Sequence, residues 1–214
     1  MQSIGQCIQF EVFVDKNTPG RLLKIPNDIN SSLQVLNKWE ISKDMSSDEK
    51  YKWAERSVSN TMKWSHFFVD LISKHPELKP HLAYPEFRDD GSYTQDRVVT
   101  IGDYLKTSNR LEARRIFQLY TESIIYDWKF SFSDGVFNPT QNSGVDKNGN
   151  VVLIDFLEIN IEKDVLKKKI DDEVWLTRSS YTSDIPEPLR DDYRAIMKST
   201  ITTSKLEDNW GKII

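Results

Sequence analysis

The stretch from Phe137 to Glu158, FNPTQNSGVDKNGNVVLIDFLE, holds the side chains whose types and order point most directly to chemistry. A carboxamide, Asn142, precedes the turn Asp146-Lys147-Asn148-Gly149, and the apolar run VVLID closes on a carboxylate, Asp155. Turn residues followed by an apolar run predict a hairpin and a buried strand end. An acid at the end of a buried strand, with a carboxamide one hairpin upstream, offers oxygen donors of the kind that hard divalent cations take.

Composition narrows the classes of function. At 214 residues the chain is long enough for one large domain or two small lobes. Twenty-nine basic against thirty-three acidic residues give a net charge of -4 with no long block of one sign, so bulk charge argues against a nucleic-acid partner. The single cysteine, Cys7, excludes an internal disulfide and a Cys-rich zinc centre. His66, His75 and His81 are the histidines, and none has a partner at a ligand spacing such as H-E-x-x-H. No apolar run reaches the roughly twenty residues that span a bilayer, and no Sec-type signal is visible at the N-terminus. The expected location is the cytoplasm, or a host cell cytosol if a secretion system that reads other signals delivers the protein.

The elements that must position these residues follow from pattern. Ile4, Ile8, Phe10, Val12 and Val14 alternate weakly, and Asn17-Thr18-Pro19-Gly20 turns the chain into Arg21 to Ile25. A hairpin is expected, with Lys24 inside its second strand. A short helix is expected through Leu33, Leu36 and Trp39. Ser46-Ser47-Asp48-Glu49 then reads as the capped start of a long helix to about His75. Its apolar stripe is read as Tyr51, Ala54, Val58, Met62, Ser65, Val69 and Ile72, which places Glu55 on an inward face. Leu82 to Phe87 and Arg97 to Ile101 read as two strands around Asp89-Asp90-Gly91-Ser92, and Thr107-Ser108-Asn109 as the boundary between lobes. A core helix is expected from Arg110 to about Lys129, presenting Leu111, Ile116, Leu119, Tyr120, Ser123, Ile124 and Trp128, and a further helix over Leu189 to Lys198.

Strand, loop, strand with a lysine, helix with an acid, two strands, connector, long helix, loop with an asparagine, then a strand ending in Asp: this order resembles that of protein kinases. Asn142 and Gly149 to Phe156 look like the end of the kinase catalytic loop and the D-F-G strand. Ile4 to Phe13 resembles a first strand and Gly-rich loop in which Gly5 is the surviving glycine. Leu22-Leu23-Lys24 falls where V-A-I-K belongs, nineteen residues after Gly5.

The resemblance implies an α+β, two-lobed protein kinase-like fold. Residues 1–106 would form an N-lobe with a small antiparallel sheet and one long helix, and residues 107–214 a reduced, mainly helical C-lobe. It implies ATP and Mg²⁺ as cofactors. Lys24, held by Glu55, would contact the α- and β-phosphates, with Glu40 as the rival acid by spacing. Asn142 and Asp155 would hold the metal. The adenine would lie between the lobes, its edge bonded to backbone near Thr100, Gly102 and Asp103. The partner would be a protein modified on Ser or Thr.

The chain departs from the family in three places. The catalytic aspartate of H-R-D stands five residues before the metal-binding asparagine, and here that position is Phe137; the nearest upstream carboxylate is Asp134. Cys7 and Phe10 replace the second and third glycines of the phosphate loop, which restricts close backbone approach. D-F-G reads Asp155-Phe156-Leu157-Glu158, and no A-P-E follows. With Asp134 as the base the chain resembles a minimal, atypical kinase of the size found among bacterial effectors. Without it, the resemblance is to a pseudokinase that binds a partner protein. Kinase-fold enzymes that transfer AMP, and antibiotic-type phosphotransferases with small-molecule acceptors, share the same framework.

Overall fold

The weak alternation from Ser3 to Val14 does not make one strand. In the computed structural model, which describes residues 3–39, 42–134, 138–156, 159–177 and 182–214, the chain turns at Cys7-Ile8-Gln9 between β1 (Ser3–Gln6) and β2 (Phe10–Val14). The second turn forms where Asn17-Thr18-Pro19-Gly20 predicts it. Gly20 takes φ +90°, a conformation that costs glycine little, and the Asp15 amide donates to the Arg21 carbonyl at 3.0 Å. β3 (Arg21–Pro26) follows, with Lys24 paired to Val12 on one side and Tyr93 on the other.

The Asp28 carboxylate accepts the Ser31 amide and so starts α1 (Ile29–Leu36), which ends before Trp39. A reciprocal capping box between Ser46 and Glu49 opens α2 (Ser47–Lys74), a helix of the length its pattern predicts. Its inward face differs from the expected stripe. Ala54, Ser57, Thr61, Trp64, Ser65, Phe68, Leu71 and Ile72 are buried, whereas Tyr51 and Val69 are 46% and 47% exposed. Small hydroxyl residues serve this face because Thr61 and Ser65 return their hydroxyls to the carbonyls of Ser57 and Thr61 within the helix. Polarity therefore hid the true stripe, and Glu55 falls on the exposed side of it.

After α3 (Leu78–His81), Ala83 and Tyr84 take φ of +54° and +53°, which rules out the strand expected from Leu82. The hairpin is instead β4 (Glu86–Phe87) with β5 (Tyr93–Asp96), turned at Gly91. Thr94 and Gln95 do not look like core residues, yet both are buried; the Gln95 carboxamide donates to the Leu82 carbonyl at 3.3 Å. The antiparallel sheet runs β1-β2-β3-β5-β4.

Residues 1–97 and 98–214 form two compact units. Residues 98–106, expected with the first lobe, pack in the second. There β6 (Val99–Thr100) pairs with a hairpin strand far along the chain, and α4 (Ile101–Leu105) follows directly. The core helix is α5 (Arg110–Lys129). Ala113, Ile116, Phe117, Tyr120, Ile124 and Trp128 line its buried face, while Leu111 is 79% exposed, so the expected face is turned there. β7 (Ser133–Asp134) and α6 (Pro139–Asn142) lead into the hairpin β8 (Ser143–Val145) and β9 (Val151–Leu153). β10 (Ile159–Asn160) pairs back with β7. α7 (Lys163–Asp171), α8 (Val174–Thr177), α9 (Arg190–Thr200) and α10 (Thr203–Asn209) complete the unit, burying Leu166, Trp175, Tyr193, Met197 and Leu206 against α5 and its neighbours.

Gly144 marks the tightest point of this unit. A Cβ there would stand 2.4 Å from Val98 Cγ2 and 2.9 Å from the Val99 carbonyl oxygen. Gly144→Ala is expected to cost about 1–3 kcal/mol through overpacking, against less than about 0.5 kcal/mol for Gly5→Ala, where the space is open. Urea midpoints of the two variants check this.

α9 is tied to α5 through Asp192, nearly buried, which accepts from Arg110 (Nε 2.5 Å, Nη2 3.2 Å) and from Arg114 (Nη1 3.2 Å). The Arg110 hydrogen bond, helped by both arginine charges, holds the Asp192 carboxyl below the usual carboxylate range. A depressed folded-state value means stability that is complete above the unfolded value of about 3.9 and is lost as pH falls through the folded one. Wild type is therefore expected to exceed Asp192→Asn in melting temperature near neutrality and to lose that advantage below about pH 4, read from thermal melts across the acid range.

Candidate metal and nucleotide site

The hairpin predicted around Asp146 to Gly149 forms, and the reason is local. Asp146 Oδ1 accepts the amides of Asn148 and Asn150 at 2.8 Å each, and Gly149 takes φ +81°. Each carboxylate oxygen is satisfied within the turn, since Oδ2 accepts the Asn150 carboxamide at 3.1 Å. These bonds, chiefly those from Asn150, hold Asp146 below its ordinary carboxylate range although desolvation opposes them. Asp146 is thus a turn former.

At the open end of the hairpin the ladder runs one step past its strands. The Asn142 carbonyl accepts the amides of Ile154 at 2.9 Å and Asp155 at 3.2 Å. The backbones of the two residues singled out by sequence are thereby brought together at one end of one hairpin. Both residues are half-buried. Asp155 Oδ1 is buried and has no hydrogen-bond partner among the described residues. A buried acceptor left unmade costs about 1–3 kcal/mol, more when charged, and a cation removes that cost. Two oxygen-donor residues with an orphaned carboxylate oxygen fit Mg²⁺, which keeps waters and takes few protein ligands. Among the described residues no group of three or more His, Cys, Asp or Glu could hold a metal, so soft or His-rich centres have no counterpart there.

Thr100 and Gly102 also come to a defined place. The Thr100 hydroxyl caps α4 by accepting the Asp103 amide at 3.1 Å, and Gly102 packs where an added Cβ would lie 3.2 Å from the Thr140 carbonyl oxygen. These residues line a cavity of about 300 Å³ beside α6, the helix that ends on Asn142. Asp103, Lys106, Gln141 and Asp184 rim it. Lys106 donates to Asp103 at 2.7 Å; that bond lowers the Asp103 carboxyl and raises the Lys106 ammonium from their ordinary values. Gln141 donates to Asp184 at 3.3 Å. The sequence reading missed Gln141 and Asp184, which carry no motif and meet only in the fold.

In the first unit Lys24 is 8% exposed on β3, its Nζ 5.4 Å from the centroid of the Tyr93 ring. Gly5 lies exposed in β1, opposite Val12. The expected Lys24–Glu55 pair does not form among the described residues. Glu55 faces solvent one position past buried Ala54, because the helical period carries Ala54, Ser57 and Thr61 inward. Glu40, Phe137, Leu157 and Glu158 lie outside the described residues. Asp134 ends β7 opposite Ile159, and its side chain also lies outside them. Asp127, which the sequence reading passed over, is a buried carboxylate on the inward face of α5, three residues after Ile124.

A scan against protein-family models finds no match, and a search of curated proteins finds none.

Removing the orphaned oxygen gives a direct check of the metal fit. Without divalent cation, Asp155→Ala is expected to melt at or above the wild-type temperature, with a gain of up to about 2 kcal/mol, because a buried oxygen with no hydrogen-bond partner among the described residues is deleted. Melts in chelator read this.

Proposed function

We propose that the protein is a minimal, kinase-like phosphotransferase that uses ATP and Mg²⁺ to modify a protein on a Ser or Thr hydroxyl. The observation that carries the reading is the backbone pairing of Asn142 with Asp155 at the open end of one hairpin, with Asp155 Oδ1 buried and without a hydrogen-bond partner among the described residues. Further support comes from the order of elements: a lysine on an inner strand, a long helix, two strands, a core helix, then the asparagine hairpin ending in Asp155.

In this reading Asn142 and Asp155 would hold Mg²⁺, which would supply positive charge against the phosphates. The acceptor hydroxyl oxygen bonds to the γ-phosphorus as the bond from that phosphorus to the β,γ-bridging oxygen breaks. ADP leaves, and the hydroxyl proton passes to Asp134. Positioning and electrostatics carry most of such a transfer, so a displaced base is compatible with it.

A second reading, a pseudokinase that binds nucleotide and a partner protein without turnover, is favoured by Phe137 at the position of the family's catalytic acid and by the solvent-facing Glu55.

Thermal shift with ATP, with and without Mg²⁺, tests nucleotide binding. Wild type is expected to gain roughly 2–3 kcal/mol of apparent stability at about a hundredfold excess of ligand over its Kd, only with Mg²⁺ present, and Asp155→Ala to gain none. The absence of any Mg²⁺-dependent shift in wild type rejects the reading. Label transferred from γ-labelled ATP, and lost in Asp134→Asn, identifies a kinase; label from α-labelled ATP alone identifies AMP transfer. No label from either, with the shift intact, identifies the pseudokinase.

A further inference from the structure

The ladder of β7 with β10 is short, two residues on each strand, yet it joins the chain that enters α6 to the chain that leaves Asp155. Residues 211–213 reach the entry to β7. α5 ends at Lys129, and a helix leaves its last carbonyls without partners inside the helix. The Gly211 amide donates to the Trp128 carbonyl at 2.9 Å and the Ile213 amide to the Lys129 carbonyl at 3.0 Å. The contact is close. Gly211 takes φ +68°, and a Cβ there would stand 2.9 Å from Ser131 Oγ, on a residue that itself takes φ +57°.

The other strand is reached through α10. Glu207 pairs with Lys163 and, at 3.5 Å, with Lys167, and the Thr203 hydroxyl donates to Asp171 at 2.8 Å. All three partners lie on α7, the helix that follows β10. Leu206, fully buried, and Trp210, packed against the same core, anchor α10 between the two grips. The chain thus closes a ring around the ladder: α10 holds the helix after β10, and the residues after α10 hold the end of the helix before β7. The grip on the β7 side is the firmer one, since partly exposed ion pairs such as those of Glu207 are screened by solvent.

We infer that α10 and residues 210–213 form a clamp on the β7–β10 ladder, so that releasing the clamp loosens both strands together. Its consequence for chemistry rests on the transferase reading above, in which β7 ends on Asp134 and β10 begins shortly after Asp155. Gly211, Ile213 and Glu207 are then positioning residues that act through the ladder backbone.

Amide hydrogen exchange in wild type, Gly211→Pro and Glu207→Gln, read residue by residue by NMR, tests the clamp. Proline cannot take φ +68° and has no N–H to donate, while Trp210 before it is already extended (φ −60°, ψ 120°). Gly211→Pro is expected to speed exchange of the amides paired in β7 and β10 by about tenfold or more, and Glu207→Gln by about threefold, while amides of β8 and β9 change by less than about twofold. Unchanged exchange in β7 and β10, or an equal rise in β8 and β9, overturns the clamp, because a general loss of stability moves both ladders. If Gly211→Pro does not fold, the same comparison in Ile213→Pro, which removes only the donor to Lys129, decides. Transfer of label from γ-labelled ATP in the folded variants is expected to fall about fivefold, with Mg·ATP affinity within about twofold of wild type. A loosened ladder with unchanged transfer overturns the link to the site. Wild type that transfers no label overturns the transferase reading and leaves the clamp standing on exchange.

Discussion

The second unit is organised by a single backbone acceptor, the Asn142 carbonyl, which takes the amides of both Ile154 and Asp155. That shared bond closes the β8–β9 hairpin, and everything on either side depends on it. Upstream, it lies at Asn142, the last residue of α6. Downstream, it fixes the direction in which the chain leaves β9 toward β10 and its pairing with β7. Gly144 allows the same hairpin to lie against Val98 and Val99, which no residue with a Cβ could do without displacement. The segment 98–106 belongs to this unit for that reason: β6 is the third strand of the hairpin's own sheet.

The first unit is organised around β3, flanked by β2 and β5. An inner strand buries what it carries, so Lys24 loses solvent and lies near the Tyr93 ring. The residues just after this strand hold the β1–β2 turn, so one short segment, Lys24 to Asn27, positions both a cation and a loop backbone. That economy is chemical as well as spatial: a buried carboxamide can donate twice to carbonyls, which neither aspartate nor serine can do from one nitrogen.

Stability and binding pull apart at Asp155. A buried carboxylate oxygen without a partner among the described residues is a cost in the isolated chain. Asp146 and Asp192 show the opposite arrangement, each with its oxygens satisfied by amides or guanidinium groups and each holding structure. The contrast separates a carboxylate oxygen without a partner among the described residues from carboxylates satisfied within the fold.

The elements that were legible in the sequence are those with a local cause. The Gly20 turn, the Asp146–Gly149 turn, the capping box at Ser46 and the long helix behind it are written in residues that act on their immediate neighbours. The pairing of Asn142 with Asp155 was legible too, because a short hairpin leaves little freedom of register. What sequence could not decide were faces and long-range partners. Glu55 sits outside because hydroxyl residues on α2 satisfy themselves within the helix and so pass for core. The strand expected over Arg97 to Ile101 forms only at Val99–Thr100 and pairs in the second unit, while the hairpin strand is Tyr93 to Asp96, where buried Gln95 donates to the Leu82 carbonyl. Asn27 carries no motif, and its carboxamide supports a loop twenty residues earlier. Local propensity determines where elements begin and turn; which side is buried, and which carbonyl a carboxamide finds, is decided only when the whole chain has packed.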